Sequence, residues 1–458
     1  MLTILLIAFT PFIVTLLLLI VSWKWVTKQL FVSMMKILFS DDYEENLFET
    51  IPNIIRFGVV KFVENQLRAE HGKLLFRSIG SSKQWPGLDN ITFIPAQTTP
   101  FPIDKDEQVD LSTKIGPKAK KPMHIEIPIM IGAMAYGLAL SKKAKLSMAH
   151  SSAKLKTAVN LGEGGLLLEE KEATYKYILQ FSKTSWGKDE SFIRDADMIE
   201  IKLGQGGLAG LGDRIPASAI PNDVKKIIGI QNNEDAVIHE HFFENQTLFD
   251  LKELTSSLRE ATNGVPIGYK IAAGGKIEED LERLIEIGSD FIVIDGGQGG
   301  THGAPPILQD DFGIPTLHAI VRADAYLRER KLKEDISLIV SGGLYVPGDF
   351  LKVLALGADA IYIGSSMVYA INHNQFLKAL PWEPPSQTIW STGSKQNEFN
   401  IEEGSTYGFN YLNSCIEEMK VGLRAMGKTS LKQLTANDLV SYDETTAKMA
   451  KIAYSFKK

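Results

Sequence analysis

The chain has 458 residues, 44% of them hydrophobic, which suits one large catalytic domain with extra segments, or two domains. A net charge of -6 with no basic stripe argues against a nucleic-acid binder. The single cysteine, Cys415, excludes an intrachain disulfide framework and any cluster or zinc site built from several cysteines of this chain, and histidines without HxxxH spacing leave no metal site expected.

In chain order, the first feature is "LTILLIAFTPFIVTLLLLIVSW" (residues 2–23), an uncharged run long enough, at about 20 residues, to cross a bilayer. Membrane helices tolerate a proline such as Pro11. The run is too long for a secretory signal and lacks its basic leading segment and small-residue cleavage site. Trp23 and Trp25 alternate with Lys24, and Lys28 follows. This predicts a retained transmembrane anchor over residues 1–30, single-pass, with the bulk of the chain in the cytoplasm. "FVSMMKILF" (residues 31–39) reads equally as a helix on the membrane surface or as a buried packing helix. Residues 31–121 form a lead-in or cap of weak periodicity and many turn residues.

A regular alternation then begins. "IEIPIMIG" reads as a strand and "SKKAKLSMAHSSAKL" as a helix; "MIEIKLG" is a strand, "DLKELTSSLREA" a helix, "VPIGYKIA" a strand and "EEDLERLIEIG" a helix. "FIVID", "ISLIVSGG" and "DAIYIGSS" are strands, separated by the helices "TLHAIVRADAYLRER" and "PGDFLKVLALG". Apolar strands alternating with helices predict a parallel sheet covered by helices. A doubly wound sheet would carry its fingerprint at the first strand–helix turn. Here glycine turns end many strands, including the last two, as in a barrel whose active site gathers at the C-terminal ends of its strands. The predicted fold is therefore an α/β (β/α)8 TIM-type barrel over residues 122–380. An irregular segment follows over residues 381–458, with a helix at "LNSCIEEMKVGLRAMG" and a small appendage at "SLKQLTANDLVSYD".

The turns carry the candidate chemistry. "SGG" (with Gly342 and Gly343) and "IGSS" (with Gly364 and Ser365) put small residues where backbone N–H groups can face a phosphate, one strand–helix unit apart. "GAMAYG" (Gly132, Ala133, Met134) lets a planar ring lie against the backbone, although glycines equally serve plain tight turns. Lys270 ends "PIGYK" inside an apolar strand and must reach a carboxylate, an anion or water. Glu163 in "NLGEGGLL" is a candidate proton donor or acceptor, or a solvated surface acid. "KLGQGGLAGLGDRIP" contains a formal dinucleotide fingerprint, but further glycines and Pro216 follow where a helix should open. It reads as a loop over the site, with Gln205 or Arg214 on the substrate; His239 and His241 read as a loop pair at the rim. In "IVIDGGQGGTHGAPP", Asp295 ends a strand and Gly296, Gly297, Gly299 and Gly300 let the backbone come close to a ligand, with Thr301 and His302 as added donors.

The order GAM, GEGG, IEIKLGQG, YK, DGGQGGTHGAPP, SGG, IGSS resembles the FMN-binding synthase domain of glutamate synthase, over more than half the chain, and looks most like stand-alone, membrane-tethered forms of it. The resemblance implies FMN as cofactor, and hydride transfer from it to an imine of 2-oxoglutarate to form glutamate. It implies that Gly342, Gly343, Gly364 and Ser365 hold the phosphate, and that Gly132, Ala133 and Met134 lie against the ring. Lys270 would sit by flavin and keto acid, Glu163 would assist imine formation or protonation, and Gln205, Asp295, Gly297, Gly299, Gly300 and Thr301 would line cofactor and substrate. The family enzyme also carries three cysteines for an iron–sulfur cluster after the last barrel motif, where "VYAINHNQFLKALPWEPP" has none, and a glutaminase domain where this chain has its apolar run. The expected partners are thus a 2-oxoglutarate-like keto acid, ammonia, membrane lipid at the N-terminal helix, and a protein supplying electrons or ammonia. An FMN oxidase or dehydrogenase acting on another small acid or amine with a membrane electron partner, and a catalytically idle tethered scaffold, are the competing readings.

Overall fold

The computed structural model describes residues 2–77 and 79–456, without the side chains of residues 2–8, 13, 19 and 47. The chain folds as two units, residues 1–75 and residues 76–458.

The first unit is helical: Leu2–Ser40, Thr50–Phe57 and Val59–His71. The long helix takes in both the expected span and residues 31–39, and Phe12, Leu18, Val21 and Trp23 are exposed along it. Among the described residues no single straight helix is long and apolar enough to cross a membrane. A pair bent by 45°, Phe9–Leu18 and Ile20–Ser40, is so by length and composition. The expected anchor over residues 1–30 falls on this helix; the side chains of residues 2–8, 13 and 19 lie outside the described ones.

The second unit is built on a closed parallel barrel. Its strands are β1 (Ile129–Ile131), β2 (Ala158–Asn160), β3 (Lys176–Phe181), β4 (Met198–Lys202), β5 (Ile267–Ala272), β6 (Phe291–Asp295), β7 (Ser337–Ser341) and β8 (Ala360–Ile363), paired in chain order with β8 returning to β1. The connecting helices include α1 (Lys142–Lys154), α2 (Leu168–Ala173), α3 (Glu190–Asp195), α4 (Leu248–Ala261), α5 (Ile277–Ile287), α6 (Thr316–Glu329), α7 (Pro347–Ala355) and α8 (Ser365–Ile371). The predicted TIM-type fold is the observed one.

The period-two alternation of a strand sets what each residue does. Ile129 and Ile131, Ile199 and Ile201, Ile292 and Ile294, and Leu338 and Val340 point outward into a core shared with the helices. Met130, Ile178, Met198, Phe291, Val293, Ile339 and Tyr362 fill the interior together with Ile115, Met123 and Ile125. The last three belong to a hairpin, Thr113–Ile115 with Met123–Ile125, tied to the N-terminal ends of the strands by Gly116 N to Ser337 Oγ (3.0 Å) and Thr113 Oγ1 to Asp359 O (3.0 Å). One mouth of the barrel is thereby plugged with apolar side chains. Towards the other mouth the inward positions turn polar: Asn160, Gln180, Glu200, Lys202, Lys270, Asp295 and Ser341, all buried.

Four sequence expectations need correction. "IEIPIMIG" is two strands, because Pro128 has no N–H for a ladder and the chain breaks between Ile125 and Ile129. The strands β2 and β3 were not anticipated: one is three residues long, and the other carries lysine and glutamine among its apolar residues. The helix expected from Leu412 begins at Ile401, capped by Asn400, whose side chain accepts from Glu403 N. This helix, α9 (Ile401–Ala425), lays Gly404 and Gly408 against Ser147 and Ser151 of α1, so glycines that look like loop residues permit close helix packing. Finally, the lead-in and the C-terminal appendage meet in one sheet, Ile91–Phe93 pairing antiparallel with Leu439–Ser441, which pairs parallel with Ala453–Tyr454.

Candidate active site

The polar mouth of the barrel is organised by two lysines. Lys270 on β5 and Lys202 on β4 are register partners, so their side chains enter the barrel side by side. Each faces a carboxylate. Lys202 Nζ lies 2.5 Å from Glu163 Oε1, and Lys270 Nζ lies 3.4 Å from Asp295 Oδ2. Asp295 is held from two further sides, by Ser341 Oγ donating to Oδ1 (2.7 Å) and Gly206 N donating to Oδ2 (3.1 Å). Lys270 is 7% exposed, and burial alone would lower its pKa; the carboxylates of Asp295, Glu200 and Glu163 outweigh that and hold it above the ordinary lysine value. It therefore stays an ammonium at neutral pH.

Below this pair, Glu200 is wholly buried and accepts from Asn160 Nδ2 (3.0 Å) and Gln180 Nε2 (2.7 Å) through Oε1, while its Oε2 has no partner among the described residues. Burial and the Glu200 carboxylate push the Tyr362 phenol well above its usual range. Glu163 is no solvated acid: its backbone O accepts from Trp186 Nε1 (2.8 Å), and its Oε2 is buried without a partner among the described residues.

The glycine turns divide into two kinds. At Gly296, Gly299 and Gly300 an added Cβ would strike Thr316, the Asp295 carboxylate and Gly80. At Gly297 it would strike the Trp85 ring, and Gly297 lines neither of the two cavities that reach Gly364. These glycines let the loop fold upon its own surroundings. Gly364 is different: a Cβ there would meet nothing within 4 Å. The space beside it is part of a cleft of about 170 Å³. A second cavity of about 90 Å³ shares Ala133, Lys270, Asp295, Gly300, Gly364 and Ser365 with the first and continues it along Gly132, Gly299, Gly342 and Gly343.

Of the remaining expected residues, Met134, Glu163, Gln205 and Thr301 also border the larger cleft. Arg214 does not: its side chain is 69% exposed and faces Asp235 at 3.7 Å. His302 borders the cleft against Trp390, ring centroids 4.4 Å apart, and burial lowers its pKa. Residues 389–391 reach the cleft by pairing with the segment just after the "GAMAYG" turn, Ser141 N to Ile389 O and Ser391 N to Ala139 O, both 2.8 Å. No pattern in the irregular segment announces Trp390. Lys202, by contrast, was legible, since the alternation that turns Ile199 and Ile201 outward turns Glu200 and Lys202 inward.

A closed β/α barrel with buried charge at its C-terminal mouth and a glycine-lined cavity beside its last two strands defines a cofactor-dependent barrel enzyme. The family described as the conserved region in glutamate synthase matches residues 78–428. The chain is 32% identical over 353 residues to the archaeal-type glutamate synthase (NADPH) of Thermotoga neapolitana, spanning 76% of this chain and 68% of that one. It is 28% identical over 402 residues to a glutamate synthase large subunit-like protein of Rhizobium meliloti, spanning 82% and 89%. Among solved structures, the recombinant flavin-binding domain of baker's yeast flavocytochrome b2 superposes with a TM-score of 0.51 at 20% identity, over 78% of this chain and 77% of that one, a likeness of fold. The chain belongs to the glutamate synthase family of oxidoreductases.

Proposed function

We propose that the chain is an FMN-dependent oxidoreductase that exchanges hydride with a carbon–nitrogen bond in the cleft. The observation that carries this reading is the buried Lys270–Asp295–Ser341 array beside the open turn at Gly364. FMN is the cofactor, and the residues fit it. Gly342, Gly343, Gly364 and Ser365 would hold its phosphate through backbone N–H groups, and Gly132, Ala133 and Met134 would lie against its ring. When bound, FMN supplies hydride exchange at N5. The Lys270 ammonium contributes positive charge that favours a reduced, anionic ring. Glu163 Oε2, without a partner among the described residues, takes or gives the proton at the substrate nitrogen. Trp390 and His302 cover the cleft and exclude water.

Valine at position 364 tests the cofactor assignment directly. Gly364→Val is expected to weaken FMN binding about tenfold or more, since the new side chain enters the space proposed for the ligand, and the melting temperature of the flavin-free protein reads any separate effect on folding. Unchanged FMN affinity would remove this turn from the cofactor site.

The substrate nearest the family is the imine of 2-oxoglutarate, reduced to glutamate, with ammonia and electrons drawn from solution or from a partner protein. Anaerobic reduction of the flavin followed by 2-oxoglutarate and ammonium tests it: reoxidation with glutamate formed supports it, and a flavin that stays reduced refutes it. The charges lining the cleft favour a second reading, in which another small amine or acid is used. The N-terminal helix is the proposed membrane anchor, with the barrel on the cytoplasmic side, supported by its uncharged residues 2–23.

A further inference from the structure

The larger cleft has an end that the glycine-lined cavity does not share. Its polar residues include Glu163, Gln180, Gln205, Asp213, Thr301 and His302. Its apolar residues include Leu138, Leu208, Ile215 and Ile238. Its two carboxylates, Glu163 and Asp213, face no lysine or arginine among the described residues that line this end, and burial lowers the pKa of His302, the one imidazole there. The neighbouring cations are already engaged. Lys202 pairs with Glu163. Lys183 directs its ammonium at three backbone carbonyls, of Leu203 (2.9 Å), Gly210 (3.1 Å) and Glu240 (2.8 Å). Lys270 faces Asp295, and Arg214 points to solvent.

A dicarboxylate seated here would leave water to meet two carboxylates and no free cation, and burying charge without a counter-charge is strongly unfavourable. An ammonium on an apolar body meets the opposite conditions. Asp213 is ready for one: Arg214 N holds its Oδ1 (2.8 Å), its Oδ2 has no hydrogen-bond partner among the described residues, and burial together with the Glu163 charge raises its pKa, a penalty that a bound cation would relieve. We infer that this end of the cleft receives a substrate carrying an amino group on an apolar body, held between Asp213 and Glu163, and disfavours dicarboxylates. The inference rests on the flavin reading for where the cofactor ends and the substrate begins.

Calorimetric titration of the full chain in detergent tests it with three probes: n-hexylamine, hexanoate with the same body and opposite charge, and 2-oxoglutarate. Hexylamine is expected to bind about tenfold or more tighter than either anion, and Asp213→Asn to weaken hexylamine by a similar factor while leaving hexanoate unweakened. Binding of 2-oxoglutarate as tight as that of hexylamine, or no detectable hexylamine binding, would overturn the inference. The ranking in the unmodified protein decides the matter even where the variant is unstable. Visible flavin absorbance of the same sample reports the cofactor separately: its absence sinks the FMN reading, whereas the heat of ligand binding still ranks the probes.

Discussion

Exchanging Lys270 for glutamine is expected to leave FMN bound and to slow hydride exchange about a hundredfold to a thousandfold, as removal of a preorganised charge at a reacting centre does. The two effects separate because the phosphate is proposed to be held by backbone N–H groups of Gly342, Gly343, Gly364 and Ser365, which the exchange leaves in place. Asp295 keeps two donors after the change, Ser341 Oγ and Gly206 N, so the carboxylate is not orphaned and the barrel holds. What disappears is the one ammonium in the cleft lining, kept charged by Asp295, Glu200 and Glu163 despite its burial. Rapid-mixing measurements of flavin reduction and reoxidation check the rate, and the bound flavin spectrum checks retention. Rates equal to those of the unmodified protein would show that Lys270 serves only to neutralise Asp295.

The alternation that makes Lys270 conspicuous in the sequence also explains how much of the site could be read there. An ammonium inside an apolar strand needs a partner, and the strand "FIVID" offers one in Asp295, which the register brings beside it. Glu163 was legible as a residue and misleading as an environment. Its glycine-rich loop looks open, yet Lys202 from β4 reaches across 39 positions to pair with it. The barrel followed from local alternation of strands and helices, and its strands pair with near neighbours in sequence. What escaped was non-local: the pairing of Ile91–Phe93 with Leu439–Ser441, and the arrival of Trp390 over the cleft. Such contacts depend on where distant segments end in space, which period and propensity do not encode. The glycines after Asp295 show the converse limit, since sequence marks where a side chain cannot fit without saying whether protein or ligand fills the space.

Lys145 and Glu170 form an ion pair at 2.9 Å, each side chain 1% exposed, and neither was singled out by the sequence. The same ammonium donates to Met134 O (2.7 Å) and Leu161 O (3.1 Å), joining the "GAMAYG" turn to the loop that bears Glu163. Burial raises the Glu170 pKa even against the attraction of Lys145, so this carboxylate depends on its partner. Lys145→Met should therefore lower stability by about 3–5 kcal/mol, the range for removing one member of a buried pair. Adding Glu170→Leu should restore much of that loss, because no charge is then stranded. Neither methionine nor leucine can donate to the two carbonyls, so the double variant should still bind FMN more weakly than the unmodified protein. Denaturant unfolding reads the first effect and flavin titration the second. A double variant that recovers both stability and FMN affinity would reduce the pair to a core filler. Recovery of stability alone would mean that Lys145 positions the turn proposed to lie against the flavin and the loop that carries Glu163, through backbone atoms it alone supplies with donors.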